Sequence, residues 1–179
     1  MGTLWTQIAV EAAAESPLWG SALRSPEERE ELPIFSPLCG GSFALGLETI
    51  YEGYLLHYGR PRLFAAADRD TAVLLGDYLY AHGLVRIAAL GDVNVVGDLS
   101  ELISLCAQGR AEGTRPAAAD GPAWAATAAC LGVDGPALAD ARAALRDRDD
   151  PLPLTGLARS GADPESVERA LDLHRSRVD

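Results

Sequence analysis

Lysine is absent from this chain, and all fifteen basic side chains are arginine, set against 26 aspartates and glutamates for a formal net charge of -11. The arginines are spread along the sequence without a dense run. That pattern argues against a surface for nucleic acid or for an anionic membrane. Cysteine is scarce and odd in number: Cys39, Cys106 and Cys130 stand at no CxxC or CxxH spacing. This disfavours both a disulfide framework and a zinc site, and the three read as small core residues in a reducing compartment. No stretch offers about 18 uninterrupted apolar residues, so no membrane span is expected. The first residues carry no basic segment followed by an apolar run, and the expected location is cytoplasmic. Sustained period-two alternation with β-branched residues is also missing, Asp92 to Val96 being too short to count, and so is any internal repeat.

What the sequence does contain is helical periodicity. At 179 residues and 48% hydrophobic, the chain suffices for one domain with a single substantial core. The expected fold is an all-α, single-domain helical bundle of seven or eight helices. Its N-terminal helices and connection would occupy 1–41, its helical core 42–148, and a connection with a C-terminal helix 149–179. Thr3 is placed to cap a first helix to Ala14, ended by Ser16-Pro17. Ser25-Pro26-Glu27-Glu28 has the form of a capping box and predicts a helix of about two turns before Pro33. Helices are expected over Ser42–Tyr58 and Asp70–Leu90, the second apolar on nearly every side and so the most buried of the fold. Asp98 is read as the cap of the next, with Gly113–Gly121 as the most mobile connection. Asp120 and Pro122 open a helix to Cys130, and Asp134 and Pro136 one to Arg146. Asp149–Gly161, with Pro151, Pro153 and Gly156, reads as a connection, and Asp163-Pro164-Glu165 starts the last helix.

Two carboxylates stand out. Glu48 and Glu52 lie four residues apart, one turn above the other on one helix face. Like charges so placed repel by a few tenths of a kcal/mol unless a cation or donor sits between them. Asp77, inside an apolar helix, is a carboxylate that needs a partner if buried. His57, His82 and His174 have no ligand spacing, and Tyr51, Tyr54 and Tyr58 follow the core face.

The segment Leu47 to Phe64, LETIYEGYLLHYGRPRLF, resembles the first aspartate-rich segment of the trans-isoprenyl diphosphate synthases. There Asp-Asp-x-x-Asp is followed by Arg-Arg and Gly-Lys/Arg-Pro. In register, Glu48, Thr49 and Glu52 stand where the aspartates would be, His57 and Tyr58 replace the arginines, and Gly59-Arg60-Pro61 fits without a gap. Ala72 to Gly83, AVLLGDYLYAHG, is similar to that family's following helix, and Asp149 to Gly156 looks like a remnant of its second aspartate motif. The resemblance implies an isoprenoid-synthase-like, shortened bundle with magnesium at Glu48 and Glu52. It also implies a ligand site of Glu48, Glu52, Arg60 and Asp77 facing a prenyl diphosphate or another apolar ligand. Because the carboxylate set and the arginine pair are broken, no catalytic residue is assigned.

Three readings follow. The first is a noncatalytic binding or regulatory subunit in isoprenoid biosynthesis, since the family includes small noncatalytic partners; it would act as a homodimer or as a heterodimer with a full-length prenyl synthase. The second is a small enzyme with a residual magnesium–diphosphate site. The third is a self-associating helical protein with no isoprenoid role. The Ala72 to Leu90 helix is the expected centre of the interface.

Overall fold

Most of the helices begin where a side chain or a proline relieves the unpaired N–H groups of the first turn, the helix Ala44–Tyr58, which follows Phe43, being an exception. A computed structural model describes residues 2–133 and 135–178, and among them the chain forms nine α-helices and no strand beyond an isolated Leu23–Phe64 bridge. Thr3 caps α1 (Leu4–Glu15), its hydroxyl accepting from the Thr6 N–H at 3.2 Å. Ser16 then ends α1 and caps a helix the sequence did not announce, α2 (Pro17–Ala22). At Ser25 the amide and hydroxyl both donate to Glu28, yet only the 3₁₀ turn Pro26–Glu28 forms. The expected two-turn helix is replaced by an extended strap. The reason is tertiary: Arg24 and Glu30 N–H groups bond the Leu63 and Arg62 carbonyls instead of helical partners.

Two antiparallel helices form the centre. α3 (Ala44–Tyr58) and α4 (Arg69–Ala88) are joined by the 59–68 link, as short connections dictate. α3 is buried without interruption from Gly46 to Leu56. The expectation that α4 is the most buried helix is corrected. Only Leu75, Gly76, Leu79, Gly83 and Ile87 of α4 are buried, because α3 covers one face, α1, α2 and the helix Val93–Ala111 touch its flanks, and the outer face stays exposed. On the buried side the two backbones touch along four glycines. A Cβ at Gly53 would lie 2.8 Å from the Gly76 carbonyl, and one at Gly83 would lie 2.4 Å from Ile50 Cγ1 and 3.0 Å from the Gly46 carbonyl.

α5 (Val93–Ala111) is capped by Asp92, whose carboxylate accepts from the Asn94 and Val95 amides. Asp98, read as its cap, lies inside it and holds Arg142. α6 (Gly121–Cys130) is buried on all sides, and α7 (Ala137–Arg148) follows; Asp134, expected to open it, lies outside the described residues. The segment read as a connection after 149 is α8 (Leu152–Gly161). Its prolines stand before and within the first turn, where a missing N–H costs nothing. α9 (Pro164–Val178) closes the bundle, with Asp163 accepting from the Ser166 N–H at 2.8 Å. One core lies between α3, α5, α6, α8 and α9, and a smaller one lies between α1, α3 and α4. Cys39, Cys106 and Cys130 are free thiols, Cys106 buried and the other two half-buried.

Candidate functional site

α3 separates the two cores, so its polar residues have no solvent to reach. Glu48 and Glu52 are both fully buried, and the Gly59–Pro61 turn brings Arg62, also fully buried, back between them. Arg62 Nη1 donates to Glu48 at 2.6 Å and Nε to Glu52 at 2.9 Å. Nη1 also donates to the Leu32 carbonyl at 2.8 Å. The remaining carboxylate oxygens are taken by backbone. The Ile34 and Ser36 N–H groups each donate to Glu48 Oε1 at 3.0 Å, and the Leu63 N–H donates to Glu52 Oε1 at 2.7 Å. Trp5 lies over the guanidinium at 4.6 Å and Tyr51 at 5.2 Å. Burial works against the charge, but Glu48 and Glu52 more than offset it and hold the Arg62 pKa above its ordinary value.

Thr49, between the two glutamates, is also engaged by an arginine. Its hydroxyl donates to the Leu45 carbonyl at 2.6 Å and accepts from Arg86. Arg86 also pairs with Glu11 of α1, which His82 contacts at 2.7 Å and Gln7 at 2.8 Å. Burial raises the Glu11 pKa, but the Arg86, His82 and Gln7 bonds outweigh it and bring it from 4.5 to about 2. Both positions expected to serve a metal, Glu48 and Glu52, therefore meet a guanidinium group, as does Thr49 between them. As they stand they do not fit magnesium, which demands free oxygens in near-octahedral array. Among the described residues, no cluster of three or more His, Cys, Asp or Glu side chains is placed to hold a metal ion.

The other two site residues lie elsewhere. Arg60 is exposed; its side chain donates to the Ser176 carbonyl and its amide to the Arg177 carbonyl at 2.9 Å, tying α9 to the turn. Asp77 is not buried, its side chain being 64% exposed on α4, and it stands 3.1 Å from His57 Nε2. That nitrogen is out of line for a hydrogen bond. Burial lowers the His57 pKa against the pull of Asp77 and favours a neutral ring, on which Tyr80 stacks at 5.1 Å. A shallow groove of about 350 Å³ beside Arg60 and Arg69 does not extend to Glu48 or Glu52.

Two further polar centres were not legible in the sequence. Buried Asp120 accepts from Tyr54 at 2.9 Å and from Arg110; burial raises its pKa although both partners oppose this. Buried His174 bonds Tyr51 and the Ala117 carbonyl. Residues 117 and 174 are too far from α3 in sequence for any spacing rule to link them. The glycine contacts did leave a signal, since Gly46 and Gly53, and Gly76 and Gly83, repeat at seven residues on one face of each helix.

Comparison with protein-family models, with curated proteins and with solved structures finds no match. Fold and site together define an all-α helical bundle. Its central carboxylates close on an internal arginine, and no described helix is long and apolar enough to cross a membrane.

Proposed function

We propose that this chain is a noncatalytic subunit that works by association, in the setting of isoprenoid chain synthesis. The observation that carries the reading is the outer face of α4. Leu74 is 55% exposed, Val85 65% and Leu90 48%, with exposed Ala81, Ala88 and Ala89 between them and Val93 beyond. Leu74, Ala81, Val85 and Ala88 recur at helical spacing on α4 with one acid, Asp77, among them, and Ala89, Leu90 and Val93 follow beyond the helix end. Soluble monomers rarely expose contiguous apolar patches above a few hundred Å². The partner is a second copy: a two-fold axis at Ala81 sets Leu74 of one chain over Ala88 of the other and Val85 over Asp77, each pair occurring twice as an isologous contact requires.

The closure of Glu48 and Glu52 on Arg62 supports the noncatalytic part, because it leaves no carboxylate oxygen to a metal–diphosphate. The isoprenoid part rests on the resemblance of residues 47–64 and 72–83. Light scattering after size exclusion tests association. The expected result is a dimer at tens of micromolar that Val85→Glu or Leu74→Glu turns into a folded monomer. A monomer that captures a full-length prenyl synthase would make that enzyme the partner instead of a second copy. A monomer that stays alone with the synthase present would overturn the reading. Magnesium-dependent condensation of isopentenyl and allylic diphosphates above a no-protein control would overturn the noncatalytic part.

A further inference from the structure

One polar pair interrupts the outer face of α4. Asp77 stands among Leu74, Ala81 and Val85, and its side chain is 64% exposed. His57 of α3 reaches it from behind. The ring crosses the seam at Gly76, where a Cβ would lie 2.5 Å from Nε2, so a side chain there would close the passage. Nε2 ends 3.1 Å from the Asp77 carboxylate, buried and out of line for a hydrogen bond. Tyr80 stacks on the ring at 5.1 Å, and Tyr58 tilts against it at 5.5 Å. In the single chain water solvates Asp77, and His57 stays neutral because burial lowers its pKa more than Asp77 raises it.

We infer that self-association through α4 is linked to proton uptake: each chain gains a proton on its His57–Asp77 pair as the dimer forms, so acidification tightens the contact. This rests on the second-copy reading given above. A two-fold axis at Ala81 places Asp77 against Val85 of the second copy, with Ala81, Leu84 and Ala88 of that copy at neighbouring helical positions. None of them offers a charge or a donor. An aliphatic neighbour takes water from the carboxylate and returns no hydrogen bond, which is costly for an unpaired charge. A proton on the imidazole makes the same contact an ion pair, whose attraction grows as solvent leaves. The ring itself is already only 12% exposed in the single chain, so dimerisation adds little to the cost of charging it.

The other ionisable groups near the pair are engaged elsewhere or oppose its proton. Arg69, at the start of α4, acts on the ring against Asp77. Arg60 and Arg177 line the same groove as His57, the first donating to the Ser176 carbonyl and the second holding Glu30. Tyr58 and Tyr80 stay protonated, burial pushing both hydroxyls up. From α5, Arg110 faces Tyr58 and pairs with Asp120. His82, the second histidine near this face, turns to Glu11 of α1, which it shares with Arg86.

The sign follows from which state holds the proton more tightly. Here that is the dimer. Its gain in association energy is fully present below the single-chain pKa of His57, which lies under the ordinary value of about 6.5, and is lost as pH rises through the dimer's higher value. With two pairs per dimer, the dissociation constant changes by at most about a hundredfold per pH unit.

Sedimentation equilibrium of the intact chain from about pH 8 to about pH 5.5 tests this. The dissociation constant should fall by about tenfold or more on acidification. Asp77→Asn, at an exposed position, removes the charge and should dimerise more tightly than wild type at the alkaline end, with little pH dependence left. His57→Gln should stay weak and nearly flat; it retains His82 and the remaining net charge, and so controls for both. If His57→Gln does not fold, NMR titration of the wild-type imidazoles decides, because His57 must titrate at higher pH in the concentrated dimer than in the diluted chain. A dimer that Val85→Glu breaks but whose affinity is constant with pH overturns the proton linkage and leaves the α4 interface standing. So does a folded His57→Gln chain that tightens like wild type, or an Asp77→Asn chain no tighter than wild type at the alkaline end. A chain that is monomeric over the whole range overturns the interface, and the linkage with it.

Discussion

Arg62 illustrates why arginine, and not lysine, serves this interior. Its planar fork reaches two carboxylates and a carbonyl at once, and its flat faces lie against Trp5 and Tyr51; a compact ammonium could not do both. Removing one member of such a buried set strands its partners. Arg62→Met should cost about 3–5 kcal/mol in urea unfolding, more than Glu48→Gln or Glu52→Gln, since it leaves two unpaired carboxylates. Replacing all three by apolar residues of similar volume should recover most of that loss. Equal, small effects from all these variants would show that the set is not the keystone its burial implies. Glu11 provides a pH-dependent counterpart. Its folded pKa is depressed to about 2 from 4.5, so its contribution is present above pH 4.5 and is lost as pH falls toward 2. With over a third of the side chain in solvent, that contribution is at most about 1 kcal/mol. The stability difference between wild type and Glu11→Gln should therefore shrink across that window, and a difference constant with pH would count against the Arg86 network.

Among the elements, the α3–α4 contact depends on the absence of side chains at four positions. Gly83→Ala should destabilise by about 1–3 kcal/mol, because its methyl would collide with Ile50 and approach the Gly46 carbonyl. Gly156→Ala in α8, where nothing lies within 4 Å, should instead stabilise by about 0.4–1 kcal/mol. Chemical denaturation of both variants checks the contrast. Much at this scale was legible in the sequence. The helical class, the α3–α4 pairing, and the caps at Thr3 and Asp163 follow from local patterns that the tertiary structure does not oppose. What failed did so where long-range contacts overrode local signals. The Ser25 capping box had its side-chain bonds, but the 62–64 segment claimed the backbone after it. The prolines at 151 and 153, read as breakers together with Gly156, are instead the cap and first-turn residues of a helix start. At the site, the spacing of Glu48 and Glu52 correctly placed them on one face, yet nothing local indicated that the cation between them would be Arg62.

At the scale of the whole molecule, the interior polar groups are cross-braces between segments distant in sequence: Arg142 ties α7 to Asp98 of α5, Arg177 ties α9 to Glu30, and Arg86 ties α4 to Glu11 of α1. α3 takes part through Glu48, Glu52, Thr49, Tyr51 and Tyr54 as well as through packing, and its contact with α4 has a kinetic consequence. The two helices are joined by the short 59–68 link, so the entropy of closing that loop is small. Their seam needs no side chain to find a rotamer, only two backbones to meet at the glycines. Contacts that are local and cheap to order tend to form before the transition state. A chevron analysis of Gly83→Ala should then show its penalty mainly as slower folding, with the unfolding limb little changed, whereas loosening α9 through Arg177→Gln should mainly speed unfolding. The glycine seam would in that case set the order of assembly, and the arginine braces the lifetime of what has been assembled.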